Sequence, residues 1–198
     1  PGIPLYTFSI TARCERAGRL GVAITTRAIT VGSRCPFVKA TVGAVATQAN
    51  TDPRLGPMAL RLIETGHSAS EALKELEACD PYIEYRQLAV VDRDGNSAAR
   101  TGSENKDWAG HITGREYVAM GNVLLGVHVA EAMAMTFEDS KDQDLEERLM
   151  LAVEAGRDAG GQHGGQTSSG LLVYDREVFP WVDLRVDLHE EPIAELRR

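Results

Sequence analysis

Cysteine is scarce in this chain of 198 residues: only Cys14, Cys35 and Cys79 are present, an odd number at wide spacing with no C-x-x-C pair. A disulfide framework is therefore disfavoured, and reduced thiols point to the cytoplasm. No apolar run approaches the roughly 20 residues that cross a bilayer, and the amino end lacks a basic stretch followed by an apolar one, so a soluble, unexported protein is expected. Lys and Arg form no block and the formal net charge is −8, which disfavours nucleic acid and anionic membrane as partners. A small polar molecule remains the expected ligand, and no cofactor is expected. A homodimer is the expected assembly, because closed two-fold dimers are the commonest among soluble oligomers.

What is present reads as a single domain with strands and helices in alternating blocks. Thr7-Phe8-Ser9-Ile10-Thr11-Ala12-Arg13 alternates like a strand, Ala17-Gly18 turns, and Leu20-Gly21-Val22-Ala23-Ile24-Thr25-Thr26 forms a second strand. Residues 42–47 are apolar on both faces and predict a buried strand. Met58, Leu60, Leu62 and Ile63 predict a helix ending at Gly66. A second helix is capped by Ser68 and Glu71, carries Ala72, Leu73, Leu76 and Cys79 on one face, and stops at Asp80-Pro81. Asp94-Gly95 between residues 87–91 and 96–101 is a hairpin signal. Residues 108–114 read as a loop, 117–120 as a strand before Gly121-Asn122, and 127–137 and 145–155 as helices. A glycine-rich run over 156–170 leads to a strand at 171–174, then to an extended segment at 181–188 and a charged tail. These blocks predict two sheets, each covered by helices on its outer side.

The candidate chemistry starts at Thr7, a hydroxyl at the head of the first strand. As a true amino-terminal residue it would carry its own general base, the free α-amine; inside a peptide it has none. Residues 1–6 stand before it as an N-terminal extension of a domain spanning 7–198. In the glycine-rich run, successive N–H groups could wrap an anion, and Gln166, Thr167, Ser168 and Ser169 offer donors to a substrate. The same run also reads as a flexible helix-to-strand connection. It is not a phosphate-binding loop, since no Gly-x-x-x-x-Gly-Lys-Ser/Thr occurs and the glycines follow a helix and precede a strand. Asn122 either closes a strand end or orients a substrate. Asp183, Asp187, His189 and His163 offer metal-ligand types but lack a tight His-x-x-x-His or Cys pair, so no metal is expected. Asp158 reads as a cap or turn residue. Cys35 reads as a buried, inert thiol rather than a nucleophile, and Pro1 reads as a product of processing rather than an amine base.

Thr7-Phe8-Ser9-Ile10, Gly43-Ala44-Val45-Ala46-Thr47-Gln48-Ala49, Gly121-Asn122, the Gly-rich Gln-Thr-Ser run and Arg185-Val186-Asp187-x-His189-x-x-Pro192 together resemble the domain of unknown function 1028 family. That family is similar in organisation to the N-terminal nucleophile hydrolases. The resemblance implies an α+β, four-layer α-β-β-α sandwich with Thr7 as nucleophile of a possible amide hydrolase, active only if residues 1–6 are removed. It also implies Lys39 as the cation that lowers the pKa of the attacking group. Thr25 occupies the second-strand place where such relatives often carry an acid, a charge that an alcohol cannot supply. The alternative is a catalytically silent ligand-binding or assembly module on the same fold.

Overall fold

The computed structural model describes residues 2–198; Pro1 lies outside the described residues. Within them the chain runs β1 (Ile3–Leu5), β2 (Thr7–Arg13), β3 (Leu20–Thr26), β4 (Pro36–Lys39), β5 (Gly43–Thr51), α1 (Leu55–Glu64), α2 (Ala69–Cys79), β6 (Arg86–Asp92), β7 (Ser97–Thr101), β8 (Gly110–Gly114), β9 (Tyr117–Gly121), α3 (Val127–Asp139), α4 (Leu145–Asp158), β10 (Ser168–Tyr174), β11 (Val182–Val186) and α5 (Pro192–Arg197).

The strands form two antiparallel sheets. One has five strands in the order β1-β5-β6-β7, with β4 sharing the β1 side of β5; the other has six, in the order β11-β10-β3-β2-β9-β8. Side-chain alternation sorts the core into three parts. Leu20, Val22 and Ile24 of β3 meet Ala44 and Ala46 of β5 and Val91 of β6 between the sheets. Phe8 and Ile10, on the other face of the six-stranded sheet, pack on Met133, Phe137, Leu149 and Val153 of α3 and α4. Val45, Leu88 and Val90, on the outer face of the five-stranded sheet, pack on Ala59, Ile63, Leu73 and Leu76 of α1 and α2.

Local signals explain most boundaries. Ser68 and Glu71 form a reciprocal capping box at the start of α2, and Gly95 at φ 81° closes the β6–β7 hairpin. Four elements differ from the sequence reading. Part of the expected loop at 108–114 is β8, a half-exposed strand at the sheet edge, where the apolar alternation that marks a strand is weak. The charged tail contains α5, which begins at Pro192 and buries Ile193 and Leu196; proline at the first helical turn and the i, i+3 apolar pair are the reason. Lys39 closes a short strand, β4, where the sequence reading assigns no element. Residues 3–5 of the expected extension are also a strand: β1 pairs with β5, Leu5 facing Ala49, and Leu5 is buried.

Candidate functional site

The chain leaves the five-stranded sheet at Leu5, crosses through Tyr6, and enters the six-stranded sheet at Thr7. Thr7 pairs with Thr26, Thr26 pairs with Ser168, and the Asn122 N–H donates to the Thr7 carbonyl at 2.9 Å. Ser168, Thr26, Thr7 and Asn122 therefore lie in one row at the end of the sheet.

Within this row Thr7 is fully buried. Its Oγ1 donates to Thr26 Oγ1 at 3.0 Å, and Thr26 Oγ1 donates to the Tyr6 carbonyl at 2.6 Å. The Arg27 N–H donates to the same carbonyl at 3.1 Å. The carbonyl on the amino side of Thr7 thus accepts two hydrogen bonds, as an oxyanion hole would supply them, and one donor is itself bonded to the Thr7 hydroxyl.

Beside this junction is a cavity of about 160 Å³ whose lining includes Leu5, Tyr6, Asn50, Lys106, Asn122 and Val123. The Lys106 ammonium donates to the Tyr6 hydroxyl at 3.0 Å and lies 5.2 Å from the ring centroid. That hydrogen bond holds the Tyr6 phenol below its ordinary pKa.

Behind the cavity, polar side chains cross between the sheets. Ser9 Oγ donates to Gln48 Oε1 at 2.7 Å, and Gln48 Nε2 donates to Gln87 Oε1 at 2.7 Å. Asn122 Nδ2 donates to the same Gln87 oxygen at 3.1 Å. Gln87 Nε2 in turn reaches Thr101 Oγ1 at 3.0 Å and the carbonyls of Gly110 and Gly121 at 3.0 and 2.8 Å. Sequence reasoning named none of Thr26, Gln48, Gln87 or Lys106 as site residues. A signal existed for two of them: Gln48 and Gln87 lie next to the apolar runs of two buried strands, and a buried amide needs partners.

The residues expected at the site divide. Thr7 and Asn122 converge. Lys39 does not reach them: its Nζ is 2.5 Å from Glu64 Oε1, and it pairs with Gly43. Leu5, next to the junction, pairs with Ala49, so Lys39 lies six β5 residues away, about 20 Å at the strand rise. The cation nearer Thr7 is Lys106. Thr25 and Ser169 are paired neighbours on the face opposite Thr7 and Thr26, because strand side chains alternate. Their hydroxyls donate to the Ser168 and Ile24 carbonyls, each at 3.0 Å. Ser168 shares the Thr7 face, but its hydroxyl donates to the Ala28 carbonyl at 2.7 Å and accepts from the Val31 N–H at 3.1 Å. Gln166 and Thr167 line a different, open cleft with Leu188, His189 and Glu190.

Several N–H groups of the glycine-rich run are used within the fold rather than left for an anion. Gly161 donates to Gly156, His163 to Val123 and Thr167 to Thr26, ending α4 and fastening the run to the segment after β9. Among the described residues no group of three or more His, Cys, Asp and Glu is placed to hold a metal ion. Asp183 is bound by Arg185 at 2.9 Å, the His189 Nδ1 accepts from the Glu191 N–H at 3.0 Å, and Asp158 is paired with Arg157 at 2.8 Å. Cys35 is fully buried, and burial pushes its thiol up to about 12. Cys14 is also buried and Cys79 exposed, so a neutral-pH alkylating reagent should label one thiol per native chain, Cys79, and three after denaturation. Peptide mapping that found Cys35 among the natively labelled residues would contradict its burial.

Residues 7–196 match DUF1028, described as a family of unknown function. Protein SPO2555 from Silicibacter pomeroyi, a solved structure of that family, is similar at a TM-score of 0.90 and 34% identity, covering 97% of this chain and 86% of that one. Anbu, the ancestral beta-subunit from Yersinia bercovieri, aligns at a TM-score of 0.47 and 10% identity over 96% of this chain and 91% of that one. No curated protein matches the chain. With nearly its whole length matched and a solved relative at this identity, the chain belongs to the DUF1028 family.

Proposed function

We propose that this domain is an α-β-β-α sandwich of the N-terminal nucleophile hydrolase kind, in which Thr7 becomes the nucleophile of a small-amide hydrolase after the Tyr6–Thr7 bond is cut. The observation that carries this reading is the chain Thr7 Oγ1, Thr26 Oγ1, Tyr6 carbonyl, with the Arg27 N–H as second donor. Thr7 Oγ attacks the Tyr6 carbonyl carbon while its proton passes to Thr26 Oγ1 and the Thr26 proton passes to the Tyr6 oxygen. The C–N bond then breaks as the proton on the Tyr6 oxygen passes to the Thr7 nitrogen, the carbonyl re-forms, and an ester joins Tyr6 to the Thr7 oxygen. Water cleaves the ester, giving a Tyr6 carboxylate and a free Thr7 amine. That amine supplies the general base missing from the uncut chain. Departure of Leu5 and Tyr6 would remove one wall of the cavity and open Thr7 towards Asn122 and Lys106.

The test is intact mass under denaturing conditions for the parent, Thr7→Ala and Thr7→Ser. The parent should lose everything before Thr7, Thr7→Ala should lose nothing, and Thr7→Ser should be cut. A parent that keeps residues 1–6 through prolonged incubation would sink the hydrolase reading. The second reading, a silent binding module, is favoured by the pairing of β1 and the complete burial of Thr7, and it predicts that uncut parent.

A further inference from the structure

We infer that the chain forms a two-fold dimer by pairing β11 with β11 of a second copy, joining two six-stranded sheets across the axis. β11 is an edge, bonded to β10 alone. Unprotected edges invite strand addition, and folds usually blunt them with proline, lysine or a bulge. β11 has no proline and no lysine, its sequence being Val-Asp-Leu-Arg-Val, and its register with β10 runs without interruption from Ser169–Val186 to Val173–Val182.

Apolar exposure is also frequent in the stretch of chain that contains β11. Among the described residues eleven large apolar side chains are exposed, and five of them, Val178, Phe179, Trp181, Leu184 and Leu188, fall in the single stretch 178–188.

The charges choose the occupant and the register. In an antiparallel pair with its two-fold axis at Leu184, Asp183 of each copy faces Arg185 of the other, and Val182 faces Val186. Moving the axis to Asp183 would set Asp183 against itself, and moving it to Arg185 would set Arg185 against itself. Opposite charges directly across a strand pair stabilise it and like charges destabilise it. The strand is therefore complementary to its own copy in one register, as an isologous interface requires. The same axis brings the Phe179 and Trp181 end of one copy to the Leu188 end of the other. Within one chain Asp183 and Arg185 already share two hydrogen bonds, at 2.9 and 3.0 Å, so dimerisation exchanges partners rather than stranding a charge.

Light scattering and sedimentation at tens of micromolar, with circular dichroism to confirm folding, test the proposal on four proteins. The parent should be a dimer. Asp183→Arg and Arg185→Asp should each weaken it at least about tenfold, since each puts like charges opposite one another. The double exchange Asp183→Arg with Arg185→Asp should recover the parent dissociation constant to within about threefold, because the pattern is complementary again. A monomeric parent overturns the proposal. So does a dimer indifferent to the single reversals, which would locate the contact elsewhere, and so does a folded double exchange that stays monomeric.

Discussion

Replacing Asp80 with alanine should destabilise the protein by about 3 kcal/mol and lower its melting temperature by roughly 6–12 °C. Asp80 caps the end of α2, where Asp-Pro stops the helix, and its carboxylate also faces inward. Arg86, at the start of β6, is only 2% exposed and donates Nε to Asp80 Oδ2 at 2.7 Å. Its Nη1 donates to the Asn50 carbonyl, and Asp52 is 4.0 Å away. Removing one partner of a buried ion pair costs far more than the pair itself contributes, because the remaining charge stays out of water. Asp52, at that longer distance, offsets only part of the loss, so the low end of the usual range applies. Asp80→Asn, which keeps the shape and a hydrogen-bond acceptor, should lose less. Urea and thermal unfolding of the two variants decide the matter; a loss below about 1 kcal/mol for the alanine variant would show that Asp52 and the Asn50 carbonyl suffice. Through Arg86 this pair supports Asn50, part of the cavity wall.

The second large effect is expected from Gln87→Leu, at about 4 kcal/mol, although leucine is similar in volume and more apolar. The side chain it replaces serves five partners: Gln48 and Asn122 as donors, and Thr101, Gly110 and Gly121 as acceptors. Each buried group left without a partner costs about 1–3 kcal/mol, and these costs are not additive within one network. Gln87→Glu should fare badly too, because an ionised carboxylate cannot donate to the Gly110 and Gly121 carbonyls. If Thr7 is cut loose as proposed, Gln87→Leu should slow the cut as well, since it frees the Asn122 side chain beside the Thr7 carbonyl, whereas Asp80→Ala should slow it less. Unfolding in urea supplies the first measurement and the time course of intact mass the second. A Gln87→Leu variant within 1 kcal/mol of the parent would mean that water or a shifted side chain can replace the amide.

Much of this architecture is legible in the sequence wherever the signal is local. The Ser68 and Glu71 cap, the Asp94-Gly95 turn and the alternation of β2 and β3 each follow from a few neighbouring residues. The exceptions depend on partners far along the chain. β8 is recognisable only beside β9, and α5 only once Ile193 and Leu196 have a core to enter. At the site, alternation alone would have separated Thr25 from Thr26, because Leu20, Val22, Ile24 and Thr26 share a face. Choosing Thr26 required knowing that it pairs with Thr7. Lys106 is 100 residues from Tyr6 in sequence, and no pattern announces that contact, whereas Lys39, named through the family resemblance, lies at the wrong end of the sheet.

The pairing of β1 makes cutting the chain and emptying the site two separate events. Ile3, Pro4 and Leu5 are held against Thr51, Asn50 and Ala49, so a severed segment would stay in place as a bound peptide, competing with any substrate for the space beside Thr7. The new amine would be formed already inhibited by its own leaving strand, and activity would track the slow escape of that peptide rather than the cut.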